Sequence, residues 1–184
     1  MHRFAAAGLA VLALGISIEV WAQQKVGAPM VSVTFADEPW TLAFDVKDFA
    51  VKTNGLQPDG RAYLLAENQK ANITLSVYLE KVSGTATAAD CTENQKRRLE
   101  EKVEYKREKI ETRESFGMAI VEYTIPEFSG APVQQRNLFA CLPKDDVYVD
   151  IHLSKVPFKP QDEALFTGVL SSAHFVPKIA TGTK

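Results

Sequence analysis

The sequence predicts an α+β domain, in which an antiparallel β-sheet of about seven strands carries two α-helices packed on one face. Three observations support this prediction. Several segments alternate between apolar and polar side chains, short turns rich in Gly, Pro, Asn and Asp separate them, and two stretches carry helical signals. Strands joined in sequence by tight turns pair antiparallel, and the helices must cover the apolar face of the resulting sheet.

The clearest predicted strand spans residues 72–80. Ile73, Leu75, Val77 and Leu79 share one side of it, and polar residues alternate with them. This alternation is typical of a sheet with one dry face and one wet face. By the same reasoning we predict strands over residues 31–35, 41–46, 61–67, 118–125, 134–142 and 147–154. Residues 49–52 form either a short strand or an extension of the strand 41–46, and 175–176 are a candidate for a last short strand. Turn and loop chemistry is predicted for 53–60 (TNGLQPDG) and 126–132 (PEFSGAP).

Two helices are predicted from their end signals. Thr87 and Asp90 have the spacing of a capping box, so the first helix is expected to begin near Ala88, with Leu99 and Val103 as its apolar stripe. The second is expected to begin at Pro160, because proline is favoured in the first helical turn. It runs to about residue 172 and carries an apolar stripe of Leu165, Phe166, Val169 and Leu170.

The highly charged stretch 100–114 allows two structures. A long solvated helix is one alternative, but Glu-to-Lys or Glu-to-Arg pairs four residues apart are scarce, so helical support is weak. We favour a helix that ends near Glu104, followed by a charged edge strand over 105–113, because charged edges keep sheets from pairing with one another. In the overlapping stretch 95–109 (QKRRLEEKVEYKREK) charges of both signs are interspersed, which indicates a solvated surface; a surface that docks a partner is the alternative.

The N-terminal 22 residues predict a signal peptide. Met1, His2 and Arg3 make a basic start, residues 4–18 are an apolar run, and Val20 and Ala22 suit signal peptidase. The run is shorter than the roughly 20 residues that span a bilayer, so an uncleaved anchor is only the alternative. We expect a flexible segment over 23–30, a single domain over 31–178 and a tail over 179–184, in a periplasmic or secreted protein with no stable membrane span after cleavage.

Charge and cysteine content narrow the function classes. The net charge is −2, so the chain lacks the basic surplus of a general nucleic-acid binder or of a polybasic membrane binder. Cys91 and Cys141 are an even pair in a chain predicted to be exported, which favours one disulfide bond.

Asp150, His152 and Ser154 share one face of the predicted strand 147–154, which raises the question of a catalytic triad. Neighbours on that face are about 6.6 Å apart, so the His152 ring would have to bridge two side chains lying in a row. The sequence also lacks a Gly-x-Ser-x-Gly elbow. A small hydrolase using His152 and Asp150 is therefore the alternative, and no catalytic residue is assigned.

Metal and cofactor binding are not indicated either. His152 and His174 have no second ligand at a familiar spacing, and no phosphate-binding glycine-rich loop or dinucleotide fingerprint is present. We therefore predict no metal ligands and no cofactor.

A polar face with aromatic residues is the best candidate binding surface. If the two clearest strands pair, that face contains Thr74, Ser76, Tyr78, Tyr148, Asp150, His152 and Ser154, and Gln135, Asn137 and Phe139 can join it from a neighbouring strand. Such a surface can hold a ligand or a protein edge. The alternatives are an ordinary exposed sheet face and a face covered by a second layer.

The order of elements resembles the PsbP-like and DcrB-like α+β domains of exported bacterial and thylakoid-lumen proteins. The resemblance lies in WTLAFDVKDFAV (40–51), ITLSVYLE (73–80), a capped helix, a charged strand, GMAIVEYTI (117–125), two further strands and a closing helix. It covers most of residues 31–176. It implies an accessory role without a common catalytic set, and it assigns no functional residues.

Together these features predict an exported, non-enzymatic accessory or binding domain. Its expected partners are an envelope protein or a small ligand.

Overall fold

Two antiparallel sheets and two helices form the part of the chain that the computed structural model describes, residues 30–35, 37–101 and 106–178. The strands are β1 (Met30–Thr34), β2 (Trp40–Asp45), β3 (Ala50–Leu56), β4 (Ala62–Asn68), β5 (Ile73–Lys81), β6 (Glu108–Ser115), β7 (Met118–Phe128), β8 (Ala131–Lys144), β9 (Val147–Lys155) and β10 (Ala173–Pro177). The helices are α1 (Ala88–Glu101) and α2 (Glu163–Ser172), and a short 3-10 helix, Pro160–Asp162, precedes α2.

The larger sheet has seven strands in the order β3-β4-β5-β9-β8-β7-β6, and every neighbouring pair is antiparallel. The predicted α+β class and seven-stranded antiparallel sheet are therefore confirmed. The smaller sheet was not predicted. It has three strands in the order β1-β2-β10, which brings the two ends of the described chain together on β2.

Tight turns connect the last strands of the larger sheet. Phe116 and Gly117 both have positive φ between β6 and β7, and so do Ser129 and Gly130 between β7 and β8. Positive φ at both central residues is the geometry of the two-residue turn that matches the natural twist of a hairpin. The turns are shorter than the predicted loops, so β7 and β8 extend through most of 126–132. In the same way β3 continues to Leu56, into the segment 53–60 that was predicted as a turn.

The main core lies between the two sheets. The inward side chains of the seven-stranded sheet, such as Leu75 and Ile151, pack in one cluster with Leu42 and Phe44 of β2. α2 joins the same cluster through Phe166, Val169 and Leu170. The sequence therefore alternates in β5 and β9 because one side of each strand faces this core.

The two helices lie on opposite faces of the seven-stranded sheet, which corrects the prediction that both cover one face. α1 packs on β7 and β8, and its Cys91 clusters with Ala119 and Cys141. Cys141 points away from the main core, because its neighbour Ala140 belongs to that core and successive side chains alternate across a strand. The second layer over the apolar face is β1-β2-β10 together with α2.

The charged region follows the edge-strand alternative. β6 is the outer strand next to β7, and it begins at Glu108, slightly later than predicted. Residues 102–105 lie outside the described residues, and with them the predicted helix end near Glu104 and the apolar Val103. The same holds for the predicted tail (179–184) and for nearly all of the predicted N-terminal segments (1–22 and 23–30).

Within the described residues, no helix is both long and apolar enough to cross a membrane.

Candidate functional site

The predicted binding face is the side of the seven-stranded sheet that α1 packs against. The strand register places Tyr78 beside Asp150, Ser76 beside His152 and Thr74 beside Ser154 on β5 and β9. On the other side of β9, Asp150 neighbours Cys141 and His152 neighbours Phe139. The predicted residues therefore do form one surface, although Ser76 and Asp150 are buried in it rather than exposed.

A disulfide and a capping threonine fix the start of α1. Cys91 and Cys141 are bonded, with their Cα atoms 5.4 Å apart, as the sequence predicts. The backbone N–H of Asp90 donates to the Thr87 hydroxyl oxygen at 3.2 Å, which satisfies one of the free donors of the first helical turn. The Thr87 hydroxyl in turn donates to the Asp90 carboxylate at 2.6 Å. Thr87 thus caps the helix as the pattern predicts, whereas the Asp90 carboxylate accepts from the Thr87 hydroxyl and not from its backbone N–H.

The Asp150 carboxylate ties the middle of α1 to the sheet. Asp150 is 7% exposed, and its Oδ2 accepts from Arg98 Nη2 at 2.6 Å. Gln95 Nε2 lies 3.5 Å from the other carboxylate oxygen, at the outer limit of a hydrogen bond. Burial raises the pKa of Asp150 above its ordinary value, and the positive charge of Arg98 opposes that rise.

His152 contacts the neighbouring strands. Its Nε2 lies 3.2 Å from Asn137 Oδ1, and its Nδ1 lies 3.5 Å from the Ser76 hydroxyl oxygen. The imidazole is stacked on Phe139, with ring centres 4.1 Å apart and planes 4° from parallel. This is not the arrangement in which Asp150 orients His152 towards Ser154, because the described contacts of the Asp150 carboxylate are with α1.

An open cleft of about 540 Å³ lies where α1 meets the rim of the sheet. We call it the α1 cleft, and it is lined by Arg61, Glu80, Val82, Asp90, Glu93, Asn94, Arg97, Arg98 and Tyr148. Its volume falls in the range of small-ligand sites, roughly 300–1,000 Å³. Three arginines and three carboxylates line it, so its chemistry is one of mixed charge.

The floor of the α1 cleft is the last row of side chains on the sheet. Glu80 pairs with Tyr148 across β5 and β9, and Arg61 precedes β4 on the other side of β5. Arg61 donates to Asp59 Oδ2 through Nε at 2.9 Å and Nη2 at 2.6 Å, and its guanidinium lies 4.8 Å from the centre of the Tyr78 ring. Hydrogen bonding between the two lowers the pKa of Asp59 and raises the pKa of Arg61.

The wall of the α1 cleft is one stripe of the helix. Asp90, Asn94 and Arg97 lie four and three residues apart, a spacing that puts them on one side of a helix. Asn94 Oδ1 accepts from Arg97 Nη2 at 2.7 Å. Tyr148 approaches this wall from the floor, and its pKa is raised mainly by burial and then by the Asp90 carboxylate. Asp90 therefore links the wall to the floor at one end of the cleft. We call this end, formed by Glu80, Asp90 and Tyr148, the outer end.

The sequence did not identify most of this cleft. Tyr148 was predicted as part of the binding face, but Arg61 was read as a strand residue, and Arg97 and Arg98 as part of a solvated charged surface. A signal was available in the spacing of Cys91, Gln95 and Arg98. These residues form one helical stripe, so tying Cys91 to the sheet brings the other two against it as well.

Metal ligation has no support in the described parts of the chain, where no three His, Cys, Asp or Glu side chains come together as a metal site would require. His174 Nδ1 lies 2.8 Å from the carbonyl oxygen of Ser172, the last residue of α2.

Comparison with known proteins identifies the fold. No protein-family model matches the chain, and no curated protein sequence matches it significantly. The solution structure of cyanobacterial PsbP (CyanoP) from Synechocystis sp. PCC 6803 is similar, with a TM-score of 0.50 and 15% identity over 83% of this chain and 96% of that one. A crystal structure from Bacteroides thetaiotaomicron has a TM-score of 0.49 and 7% identity over 78% of this chain and 47% of that one. The chain thus has a PsbP-like fold, as the order of its elements predicts.

Proposed function

We propose, from the premise that the chain has a PsbP-like fold, that it is an exported, non-enzymatic accessory domain that acts by binding. Its binding site is the α1 cleft. Tyr78 and Tyr148 of the predicted binding face belong to this site or adjoin it. Thr74, His152 and Ser154 lie farther along the same sheet face, and we include them as its extension. The bound species is an envelope protein or a small ligand.

The preorganised charge of the α1 cleft is the observation that carries this proposal. The Asp59 carboxylate accepts hydrogen bonds from two nitrogens of Arg61. The Asp150 carboxylate accepts from Arg98, and the Asp90 carboxylate accepts from the Thr87 hydroxyl. Side chains that are already ordered lose little conformational entropy when a ligand binds, so more of the interaction energy appears as affinity. An open, polar cleft with its charges held in this way supports a binding role.

The hydrogen bonds of His152 and Asp150 support a non-enzymatic role. A general base must be within hydrogen-bond reach of the proton that it removes. The two imidazole nitrogens lie against Asn137 and Ser76 within the sheet, and the Asp150 carboxylate is buried against Arg98. These contacts give both residues a structural part in joining neighbouring elements.

The disulfide and the N-terminal sequence support export. Disulfides persist in oxidising compartments and are rare in the cytosol, and residues 1–22 have the composition of a signal peptide. Intact-mass spectrometry of the protein made in a secreting bacterial host tests this. We expect a chain that begins at Gln23 and contains no free thiol. A full-length chain with two free thiols in the cytosol would contradict export.

Binding in the α1 cleft can be tested by filling it. A library of polar metabolites and short peptides is screened by thermal shift against the wild type, Asn94→Trp and Lys96→Trp. Asn94 lines the α1 cleft, whereas Lys96 lines a different groove between α1 and β6, so the second variant is a matched control. We expect ligands that stabilise the wild type and Lys96→Trp but not Asn94→Trp. Ligands that stabilise all three proteins equally would place binding elsewhere.

The hydrolase alternative has its own test. Esterase, peptidase and glycosidase substrates are assayed with the wild type and with His152→Ala. We expect no turnover by either protein. Activity that the wild type shows and His152→Ala loses would overturn the non-enzymatic assignment.

A further inference from the structure

We infer that the α1 cleft binds a short zwitterionic peptide, about three residues long, through its free ammonium and its free carboxylate. This inference rests on the proposed binding function and names its ligand class. It follows from how charge is distributed along the cleft, from the length of that distribution and from the polar group at its centre.

Two carboxylates, Glu80 and Asp90, converge on Tyr148 at the outer end of the α1 cleft, and the Arg61 guanidinium lies on the floor beside Glu80. Glu80 lies on the floor next to Tyr148, and Asp90 reaches the same tyrosine from the first turn of α1. The electrostatic influence of both carboxylates, together with that of Asp150, contributes to the raised pKa of Tyr148. The Tyr148 hydroxyl therefore marks a place where carboxylates converge from floor and wall. An ammonium group placed there meets opposite charge on two sides.

The two arginines of α1 lie farther along the same wall, about one helical turn beyond Glu93, which also lines the cleft. Arg97 and Arg98 follow Asp90 by about two helical turns and line the same cleft. A guanidinium has five N–H donors in a planar fork. Arg98 donates to Asp150 Oδ2 through Nη2 and its Nε is buried, so the more exposed Arg97 is the arginine that meets the ligand carboxylate. Paired N–H groups of this kind suit a carboxylate, which accepts two parallel hydrogen bonds.

The distance between the two ends sets the length of the ligand. Asp90 and Arg97 are seven residues apart on one side of α1, which corresponds to about 10 Å along the helix axis. An extended peptide spans about 3.3 Å per residue, so three residues cover about the same distance. A single amino acid is too short to meet both ends at once.

Asn94 supplies a polar contact between the ends. It lies on the same stripe between Asp90 and Arg97, and its Oδ1 accepts from Arg97. The amide NH₂ of Asn94 is left to donate to a peptide carbonyl of the ligand. The α1 cleft thus offers groups for the ammonium, the backbone and the carboxylate in that order from its outer end.

Four probes separate the contributions of the two ligand charges. Trialanine carries both charges, N-acetyl-trialanine carries only the carboxylate, and trialanine amide carries only the ammonium. Alanine carries both charges, but they are too close together to reach the two ends of the cleft. Their affinities for the oxidised protein are measured by NMR titration at neutral pH. We expect trialanine to bind tightest, with each missing charge weakening binding about two- to fivefold, the value of one partly solvated ion pair. Alanine should bind more weakly than trialanine.

Three variants assign each ligand charge to one end of the α1 cleft. Glu80→Gln is expected to weaken trialanine and trialanine amide and to leave N-acetyl-trialanine unchanged. Arg97→Gln should do the reverse, weakening trialanine and N-acetyl-trialanine only. Lys96→Gln is the control outside the α1 cleft and should change none of the affinities.

Several results would overturn the inference: equal binding of all four probes, an equal effect of Glu80→Gln on acetylated and free peptides, or no saturable binding of any peptide. The outcome is separable from that of the proposed function. If the peptides fail while other ligands still depend on Asn94 in the thermal-shift screen, the peptide assignment is wrong and the binding function stands. If no ligand of any kind depends on Asn94, both are wrong.

Discussion

α2 meets the rest of the protein through three buried apolar side chains, Phe166, Val169 and Leu170, whereas the buried side chains described for α1 are only Cys91 and Gln95. α2 lies in the main core with the three-stranded sheet. Among the described elements, α1 packs on the other face, held by the disulfide and by the contacts of Gln95 and Arg98 with Asp150.

The difference shows two ways of attaching a helix to one sheet. The α2 contact depends on apolar area removed from water, which contributes about 25 cal/mol per Å². The α1 sequence, AADCTENQKRRLEE, has too little apolar surface for that, so a covalent bond and a buried ion pair replace it. The attachment of α1 to the sheet should therefore weaken when one of these polar groups is removed, when the disulfide is reduced or when the pH changes. The attachment of α2 should weaken when a buried apolar side chain is shortened and a cavity is left.

The largest effect is expected on the α2 side. Phe166→Ala removes a fully buried ring and should lower the free energy of unfolding by about 3–5 kcal/mol, because the transfer energy is lost and a cavity is left. Urea unfolding measures this. The neighbouring Leu165 is 41% exposed, and Leu165→Ala should cost no more than about 0.5 kcal/mol. Equal losses for the two variants would contradict the placement of α2.

Removing the disulfide should have the next largest effect. It closes a separation of 50 residues, for which the chain-entropy model gives about 4 kcal/mol, within a typical range of about 2–5 for native bridges. The double variant Cys91→Ala, Cys141→Ala is compared with the oxidised wild type by urea unfolding and by hydrogen exchange. Exchange should accelerate in α1 more than in α2. Unchanged protection of α1 would show that its polar contacts hold it without the bond.

Arg98→Ala should destabilise the α1 side by about 2–3 kcal/mol. The change leaves the Asp150 carboxylate buried without its charge partner, and breaking a buried pair typically costs about 3–5 kcal/mol. The Arg98 side chain is 33% exposed, so water moderates the loss. Arg97→Ala, on the exposed side of the same helix, is the control and should cost no more than about 0.5 kcal/mol. Similar unfolding midpoints for the two variants would contradict this role of Asp150.

The smallest effect is expected from the titration of Asp150. Burial raises the pKa of its carboxyl in the folded protein above the ordinary value of 3.8, so the folded state binds this proton more tightly than the unfolded state. The resulting stabilisation is fully present below pH 3.8 and is lost as the pH rises through the raised pKa. The difference in unfolding free energy between the wild type and Asp150→Asn should fall across that interval. A difference that grows with pH would show that Arg98 outweighs burial.

Much of the fold could be predicted because alternation reports burial directly. The predicted strand over 72–80 corresponds to β5 at 73–81, and that over 147–154 to β9 at 147–155, since each has one side in the main core. The predicted loop 126–132 was wrong because Ser129 and Gly130 make the turn by themselves. Backbone pairing then continues through residues whose polarity resembles that of a loop.

The candidate site was harder to predict because its residues come from four separated segments. Arg61, Glu80 and Tyr148 meet only through strand register, and Asp90 joins them only when α1 lies on the sheet. Of the predicted apolar stripe, Leu99 is half-buried and Val103 lies outside the described residues. Among the described α1 side chains the buried ones are Cys91 and Gln95, and the second of these is polar.

The sequence by itself determined the α+β class, the seven-stranded antiparallel sheet, the disulfide and the polar face of β5 and β9. These follow from local periodicity, from turn chemistry and from an even pair of cysteines. Only the tertiary structure decided that β1, β2 and β10 form a second sheet, that the helices lie on opposite faces and that arginines and carboxylates meet in the α1 cleft. The physical reason is that the choice of face depends on which surfaces remain uncovered after the sheet has formed. Once the second sheet and α2 have covered the apolar face, the polar α1 remains for the other side, where the described contacts that hold it include the disulfide and the buried Arg98–Asp150 pair.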